Sequence, residues 1–581
     1  MLRGALMADG SARGRREEPR EADQGTAPSP QGDRSPTTWG RLCRVALLIS
    51  VLALAAAVRL VGVGKYGFQH FDERPYAFAA AGLATAPWLT LIRNTRLEVT
   101  YAPPLFPLLV SVPFRLFGIS DTAAITTSAV MGVAGVALLF LLVRRLLGYW
   151  EALASAGLLA VTDFHVIFSR MALTETTFFA LFLGALWAYV RAFERQRWRD
   201  FLFAGLWSLG ASWTKYSAGT IPFIALLYLL LQHRRGGAAS LGALPPGSSS
   251  HEQHRQSILQ GPEPRRAGTL GRSLKGWLLS VGVLAAGFLP WVLYIQAKTG
   301  LGPFRAHRAT YLRTGFAAAA HAVGFAWQCM TWFVGWPTIA VAAVGLVLLV
   351  LTRDARLQPA RRLLVAWLVG YGGPLLFYLP YDRLSLPLVP LLIILAVVAL
   401  ARLRGPVSAD RRSPTRRRML LWASALIGLM ALAFAGSRQT LRRRPTGYRE
   451  AARFVAKAPG ENLVIRACQA PLDFYLTQLK FPQERFKALT QANVSEVARR
   501  AREGALMLLV ADFYLDENPD LKSAVMGTGM REQVAFENDA FDVIMLGGGF
   551  ETLRRVREDP EDPRLRLYTH VVVYAPGHQG P

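Results

Sequence analysis

The chain has 581 residues, 52% of them hydrophobic and 18% charged, with a formal net charge of +27. Its mean hydropathy of +0.26 is too apolar for an ordinary soluble protein, and the apolar residues come in long runs rather than at amphipathic spacing, which indicates several membrane spans. The charge does not point to nucleic acid: basic residues crowd the N-terminus and alternate connections between apolar runs, the distribution that orients a membrane protein, and no basic stripe is interleaved with aromatics.

Residues 1–40 are rich in Arg, Glu, Gly, Ser and Pro and lack periodicity, so a disordered cytoplasmic tail is expected. The run from Arg44 to Val63 is the first membrane-length segment. It reads as an uncleaved span rather than a signal peptide, because the basic region before it is too long and many spans follow. Directly after it comes Gly67-Phe-Gln-His-Phe-Asp-Glu-Arg-Pro-Tyr76 with two adjacent carboxylates. An ionised side chain at the bilayer centre costs about 2.5–3.5 kcal/mol on the mildest scale, so this pair belongs in the first loop beyond the membrane. The proline-rich Tyr101–Pro107 stretch and the apolar segment to Gly118 suit an interfacial helix better than a clean span.

Further spans are expected at Thr122–Val143, Glu151–Phe168 and Thr174–Phe193, then on both sides of Thr214–Ala218. A Gly/Ser/Pro/Arg-rich segment, 233–273, reads as a cytoplasmic linker. Spans at Trp277–Ile295, Phe325–Leu351, Leu363–Leu379, Leu386–Leu400 and Met419–Ala435 complete a membrane module over 41–436. The sum is a polytopic α-helical membrane protein of about 11 transmembrane helices, its tail inside and its C-terminus outside. From residue 437 the composition changes. Helical patterns at Gly447–Ala456 and Val494–Arg502 alternate with strand-like Asn462–Ala467, Ala505–Ala511, Asp542–Leu546 and Tyr568–Tyr574, which predicts a C-terminal extracytoplasmic α/β domain over 437–581. Gly547-Gly-Gly549 lacks dinucleotide-binding spacing. Cys43, Cys329 and Cys468 show neither CxxC spacing nor a His partner, so no disulfide framework or cysteine-based metal site is expected.

The residues that could do chemistry fall on one face in this topology: His70, Asp72 and Glu73, the Arg170–Glu175 stretch, Lys215 and Tyr216, the Lys298–His321 loop with Arg305 and Arg308, and Tyr381 with Arg383. Each alone has a plainer explanation. Asp382-Arg383 fits an interfacial pair, Glu175 a favourable helix-dipole partner, and Lys215 a span-boundary residue. Together they describe a membrane-surface pocket with carboxylates facing cations. That set suits sugar transfer from a lipid phosphate, where a carboxylate takes the acceptor's proton and Lys/Arg hold the departing anionic phosphate.

The pattern His70-Phe-Asp-Glu-Arg-Pro-Tyr76, followed by Ala102-Pro-Pro-Leu-Phe-Pro-Leu108 and Leu116-Phe-Gly118, resembles the first outer loop of GT-C-class glycosyltransferases. These include the protein O-mannosyltransferases and the aminoarabinose transferases that modify lipid A. Ser169-Arg-Met-Ala-Leu-Thr-Glu175, Gly210-Ala-Ser-Trp-Thr-Lys-Tyr216 and Arg383-Leu-Ser-Leu-Pro-Leu-Val-Pro390 fit the same picture, so the resemblance covers most of Val45 to Leu400. It implies a GT-C-like fold, a polyprenyl-phosphate-linked sugar as donor, inversion at the anomeric carbon, and Asp72 as base or acceptor-orienting carboxylate. Glu73 would support it or help bind an ion, and Glu175 would match a second acidic position. Lys215 and Arg383 would meet the donor phosphate. The acceptor is left as lipid, glycan or protein. Metal use differs among members, so the resemblance fixes no ion and leaves a divalent cation, Mg or Mn, open. A bacterial inner (cell) membrane location fits the compact loops.

Two other readings remain. A protein O-mannosyltransferase of the eukaryotic kind carries a lumenal β-trefoil domain, for which 233–273 is too short and on the wrong side. A transporter or flippase of lipid-linked sugars would place polar sites at the bilayer midplane and show inverted repeats, which this sequence does not.

Overall fold

A computed structural model of the chain describes residues 38–85, 102–233, 268–300, 302–352, 354–404, 416–441, 446–458, 462–505, 507–538, 549–559 and 561–577. The expected N-terminal tail, most of the 233–273 linker and the strand at 542–546 lie outside the described residues.

Among the described residues, seven helices are long and apolar enough to cross a membrane, and nine spans result if each of two bent pairs is one. This is fewer than the 11 expected from sequence. The segment before Thr214 forms only a 15-residue helix, Trp198–Ser212. The segment at Leu363–Leu379 falls on Gln358–Trp367, a π-helical turn at Leu368–Gly372 and Gly373–Leu375, which run on from one another with right-handed helical backbone at each junction. Both segments are helical, so the difference from the expected number lies in the length of single regular helices among the described residues.

The two bent spans have identifiable causes. Tyr149–Val161 and Asp163–Ser169 meet at 61°, where Thr162 is extended and its hydroxyl donates back to the Leu158 carbonyl at 2.7 Å. Phe316–Phe333 and Trp336–Leu351 meet at 118°. The corner is Gly335 at φ +88°, a left-handed conformation that a side chain would strain, and Pro337 starts the next helix.

The Thr174–Arg195 span is central, 83% of its apolar window being buried against 11% for Thr38–Leu60. Two arginines tie these elements together. Arg59, fully buried, donates to the carbonyls of Leu159 and Ala160 at the end of Tyr149–Val161, to Ser169 Oγ and to its own helix at Ala55. Arg170 returns the arrangement by donating to the carbonyls of Val58, Arg59 and Val61 at the end of Thr38–Leu60. Helix ends leave carbonyls without intrahelical partners, and in lipid those must be met by protein.

The C-terminal part is a five-stranded mixed sheet in the order β2-β1-β3-β5-β4. β1 (Leu463–Ala467) is parallel to β2 (Phe486–Ala488) and β3 (Met507–Ala511), while β5 (His570–Pro576) is antiparallel to β3 and to β4 (Met530–Glu537). The expected α/β character holds, with helices at Tyr448–Lys457 and Val494–Arg502 where the amphipathic pattern places them. β2 has three residues and β4 alternates weakly, so neither is visible in sequence.

This sheet does not stand apart from the acidic loop. Phe68 and Phe106 share one hydrophobic core with Tyr448, Val464, Phe474 and Val573. The Phe68 amide donates to Tyr475 Oη at 2.8 Å, and Thr446 Oγ1 donates to the Phe68 carbonyl at 2.9 Å. Arg449 pairs with Asp121 at the start of its span, and Arg74 with Asp473 at 3.0 Å. The loop that carries Asp72 is therefore clamped between the helical module and the sheet.

Candidate active site

Asp72 sits one residue ahead of the Glu73–Thr85 helix, and its neighbour Glu73 acts on the backbone. Glu73 is fully buried. One of its oxygens accepts from the amides of Gln69 and His70 (the latter at 2.6 Å), and the other from the Ala172 amide at 2.6 Å. This pins the 69–73 turn to the Arg170–Leu173 segment. Burial pushes the Glu73 carboxyl up to about 8, although the three amides pull the other way.

Asp72 faces the cations. Arg383 Nη1 donates to Asp72 Oδ2 at 2.5 Å and lies 3.8 Å from Glu175 Oε1. Lys215 Nζ donates to Glu175 Oε1 at 2.7 Å. Glu175 is positioned by the first turn of Thr174–Arg195, Lys215 by the break after Trp198–Ser212, and Arg383 by the first turn of the Asp382–Arg404 span. Four side chains from four segments thus form an alternating chain, Asp72–Arg383–Glu175–Lys215, with two negative and two positive charges. Burial alone would raise the Asp72 carboxyl, but Arg383 at contact and Lys215 further off hold it below its ordinary range.

His70 lies beneath this group. Its Nδ1 accepts from the Asp72 amide at 3.0 Å, so in the neutral ring the proton is on Nε2. The 3.9 Å between Nδ1 and Asp72 Oδ2 is then a contact between two acceptors rather than an ion pair. Burial holds the imidazole down, to about 4, the Asp72 carboxylate opposing only in part, and His70 is neutral at neutral pH.

The other sequence-predicted residues divide. Tyr381 lies beside the group, its ring 5.5 Å from the Arg383 guanidinium carbon, and packs on Tyr311 at 5.6 Å. Tyr216 turns away: Trp291 Nε1 donates to its hydroxyl at 3.3 Å and its ring meets Phe288. Arg305 and Arg308 are exposed on the Gly302–Tyr311 helix. Two residues not singled out as site candidates also belong here. Tyr76, one turn after Asp72, feels both Asp72 and Glu175, and burial raises its hydroxyl far above the usual phenol range. Asp382 is buried and accepts from the Arg383 amide at 2.6 Å. The i, i+4 spacing from Asp72 could have flagged Tyr76.

Among the described residues, no group of three or more His, Cys, Asp and Glu side chains is placed to hold a metal ion. Asp72 and Glu175 each already face a cation and Glu73 faces three amides, so these carboxylates do not fit a divalent-ion cage.

Residues 101–242, which include Glu175 and Lys215, match the family model of the dolichyl-phosphate-mannose-protein mannosyltransferases. No curated protein matches the chain in sequence. Among solved structures it is similar to ArnT from Cupriavidus metallidurans bound to undecaprenyl phosphate, with a TM-score of 0.55 and 16% identity over 92% of this chain and 99% of that one. The apo state of ArnT gives 0.52 and 16% over 93% and 100%. The likeness to the archaeal oligosaccharyltransferase AglB from Archaeoglobus fulgidus, in complex with an inhibitory peptide and a dolichol-phosphate, is weaker, at 0.47 and 11% over 84% and 72%.

The fold is that of the GT-C class of membrane glycosyltransferases. Within that class, the segment carrying Glu175 and Lys215 has the sequence character of the dolichyl-phosphate-mannose-protein mannosyltransferase model.

Proposed function

We propose that this chain is a membrane glycosyltransferase that moves a sugar from a polyprenyl-phosphate donor to an extracytoplasmic acceptor hydroxyl, with inversion and with Asp72 as base. The observation that carries this reading is the neutral chain Asp72–Arg383–Glu175–Lys215, built from four segments at the ends of apolar helices. The undecaprenyl phosphate bound by the ArnT structure supports the choice of donor.

The balance of charge suggests how a strongly ion-paired carboxylate becomes a base. A donor phosphodiester brings one negative charge, and Arg383 is the cation it can take from Asp72. Losing that partner lets the Asp72 pKa rise, because an adjacent opposite charge is what held it down. Asp72 then accepts the proton of the acceptor hydroxyl as its oxygen bonds to the anomeric carbon from the face opposite the phosphate. The bond from that carbon to the phosphate oxygen breaks with its electron pair on the oxygen. The phosphate leaves as a dianion beside Arg383 and Lys215, which stabilise charge that grows during the step. Glu175 holds Lys215 in place, and Tyr381 flanks Arg383.

Asp72→Asn tests this. Turnover should fall on the order of 10²–10⁴-fold, while binding of a polyprenyl-phosphate sugar is retained or tightened, since Arg383 no longer has to leave a carboxylate. Wild-type turnover in the Asn variant excludes Asp72 as base. Loss of donor binding instead would assign the residue to donor recognition.

A further inference from the structure

The backbone that carries Asp72 is held by the side chains on either side of it. The His70 amide donates to Glu73 Oε2 at 2.6 Å, and the Glu73 amide donates to the His70 carbonyl at 3.1 Å. The Asp72 amide donates to His70 Nδ1 at 3.0 Å. This is the reciprocal exchange of a capping box, in which one side chain accepts from an amide ahead of it while a glutamate three residues on reaches back. Ser, Thr, Asp or Asn usually supplies the first acceptor, and here an imidazole does. The His70 side chain is 1% exposed and its ring packs 4.3 Å from that of Phe71, so it acts on whatever enters the site through Asp72 rather than by contact.

The importance of this bond changes during the proposed reaction. At rest the Asp72 carboxylate is aimed from its far end, by Arg383 Nη1 at 2.5 Å. In the proposed step Arg383 moves to the phosphate and that hold is lost. The carboxylate is then aimed by its backbone alone. On the carbonyl side the tie is long, the Tyr76 amide lying 3.5 Å from the Asp72 oxygen. On the amide side the tie is His70. A misplacement of about 1 Å in a reacting group costs on the order of a hundredfold in rate, so even a weak bond at this point governs turnover.

We propose that His70 is a positioning residue for Asp72: its Nδ1 lone pair, acting through the Asp72 amide, keeps the carboxylate aligned with the acceptor hydroxyl once Arg383 has turned to the phosphate. The catalytic part of this proposal rests on Asp72 being the base. His70→Asn and His70→Leu have the same branching, and only Asn carries an acceptor that reaches the amide two residues on. His70→Phe keeps a ring without the acceptor. Each full-length variant is purified in detergent and its melting temperature is read. Turnover of an undecaprenyl-phosphate hexose or pentose, whichever the wild type uses, is followed as release of undecaprenyl phosphate. Amide hydrogen exchange over 69–76 is measured on the same samples. The expected result is a fall in kcat of about 10–100-fold in the Leu and Phe variants, with the donor KM within about twofold because Arg383 is untouched. The Asn variant should recover kcat to within about threefold of wild type, and exchange at Asp72 should quicken in Leu and Phe only. Added to Asp72→Asn, His70→Leu should cost nothing more. A ring that merely fills space predicts the reverse order, Phe above Asn. Wild-type turnover in folded Leu or Phe variants, an Asn variant as slow as Leu, a further loss on top of Asp72→Asn, or exchange unaffected by loss of the acceptor overturns the proposal. Wild-type turnover in Asp72→Asn alone defeats the base reading instead, and the exchange measurement then still decides whether His70 holds the turn.

Discussion

Glu73 shows how adjacent acids acquire different work. Asp72 meets a guanidinium, while Glu73 meets three backbone amides and closes the turn that holds Asp72. With its carboxyl pushed up to about 8 from an ordinary 4.5, Glu73 keeps its proton in the folded protein across a range where the unfolded chain has lost it. The folded state then binds more protons than the unfolded one between those values, and stability declines as pH rises through that window. Glu73→Gln puts an NH2 where an amide needs an acceptor, which costs about 1–3 kcal/mol. The apparent melting temperature should drop, and its decline between about pH 4.5 and pH 8 should flatten. A variant that melts like wild type, with the slope intact, contradicts this role. The pair itself was legible in the sequence, because two acids after an apolar run stand out. The separate roles of the two came only from the family resemblance and not from their spacing, since what holds Glu73 includes the amide of Ala172, a hundred residues away.

At the scale of elements, the arginine exchange between Thr38–Leu60 and the bent pair Tyr149–Ser169 ties three helix ends to one another. Arg59 also donates to His165 Nδ1 at 2.6 Å, so one side chain satisfies groups on both halves of the bend. Arg59→Met leaves those acceptors buried without a donor, at about 1–3 kcal/mol for each group. Arg59→Lys should not rescue it, because a single ammonium cannot fork across acceptors a turn apart. Thermal unfolding in detergent should show both variants well below wild type, and a Lys variant that melts at the wild-type temperature rejects the forked geometry as the cause. In sequence, Arg59 reads only as a charge at the end of an apolar run. Arg170 appears beside a candidate acid, and nothing local says it reaches another helix. The spans that hydropathy placed well, such as Asp121–Leu146 and Thr174–Arg195, are continuous helices. Two other expected spans are also helical, one carrying a π turn and one having 15 residues, features that hardly alter composition.

For the whole molecule, the contacts decide which parts share a side of the membrane. The sheet domain is joined to the 66–68 loop through Thr446, Tyr475 and Phe68. That loop leads into Asp72, Asp72 joins Arg383, and Arg383 and Lys215 meet at Glu175. Lys215 in turn begins the Tyr216–His233 span, whose far end is His233. A helix of 18 residues rises about 27 Å, close to the thickness of the hydrocarbon core, so a crossing by this helix would put His233 on the face opposite the site. We propose that the segment after His233 and the C-terminal domain lie on opposite sides of the membrane, the Arg-rich composition of 234–267 fitting the cytoplasmic side. Reporter fusions inserted within 240–260 and placed after Gly577 should give opposite signals, cytoplasmic for the first and extracytoplasmic for the second. Two fusions reading on the same side would mean that Tyr216–His233 does not cross. Lys215 could then stay at the site only if the helix lay along the surface, where a run of this hydropathy would leave Phe223 and Leu230 facing water.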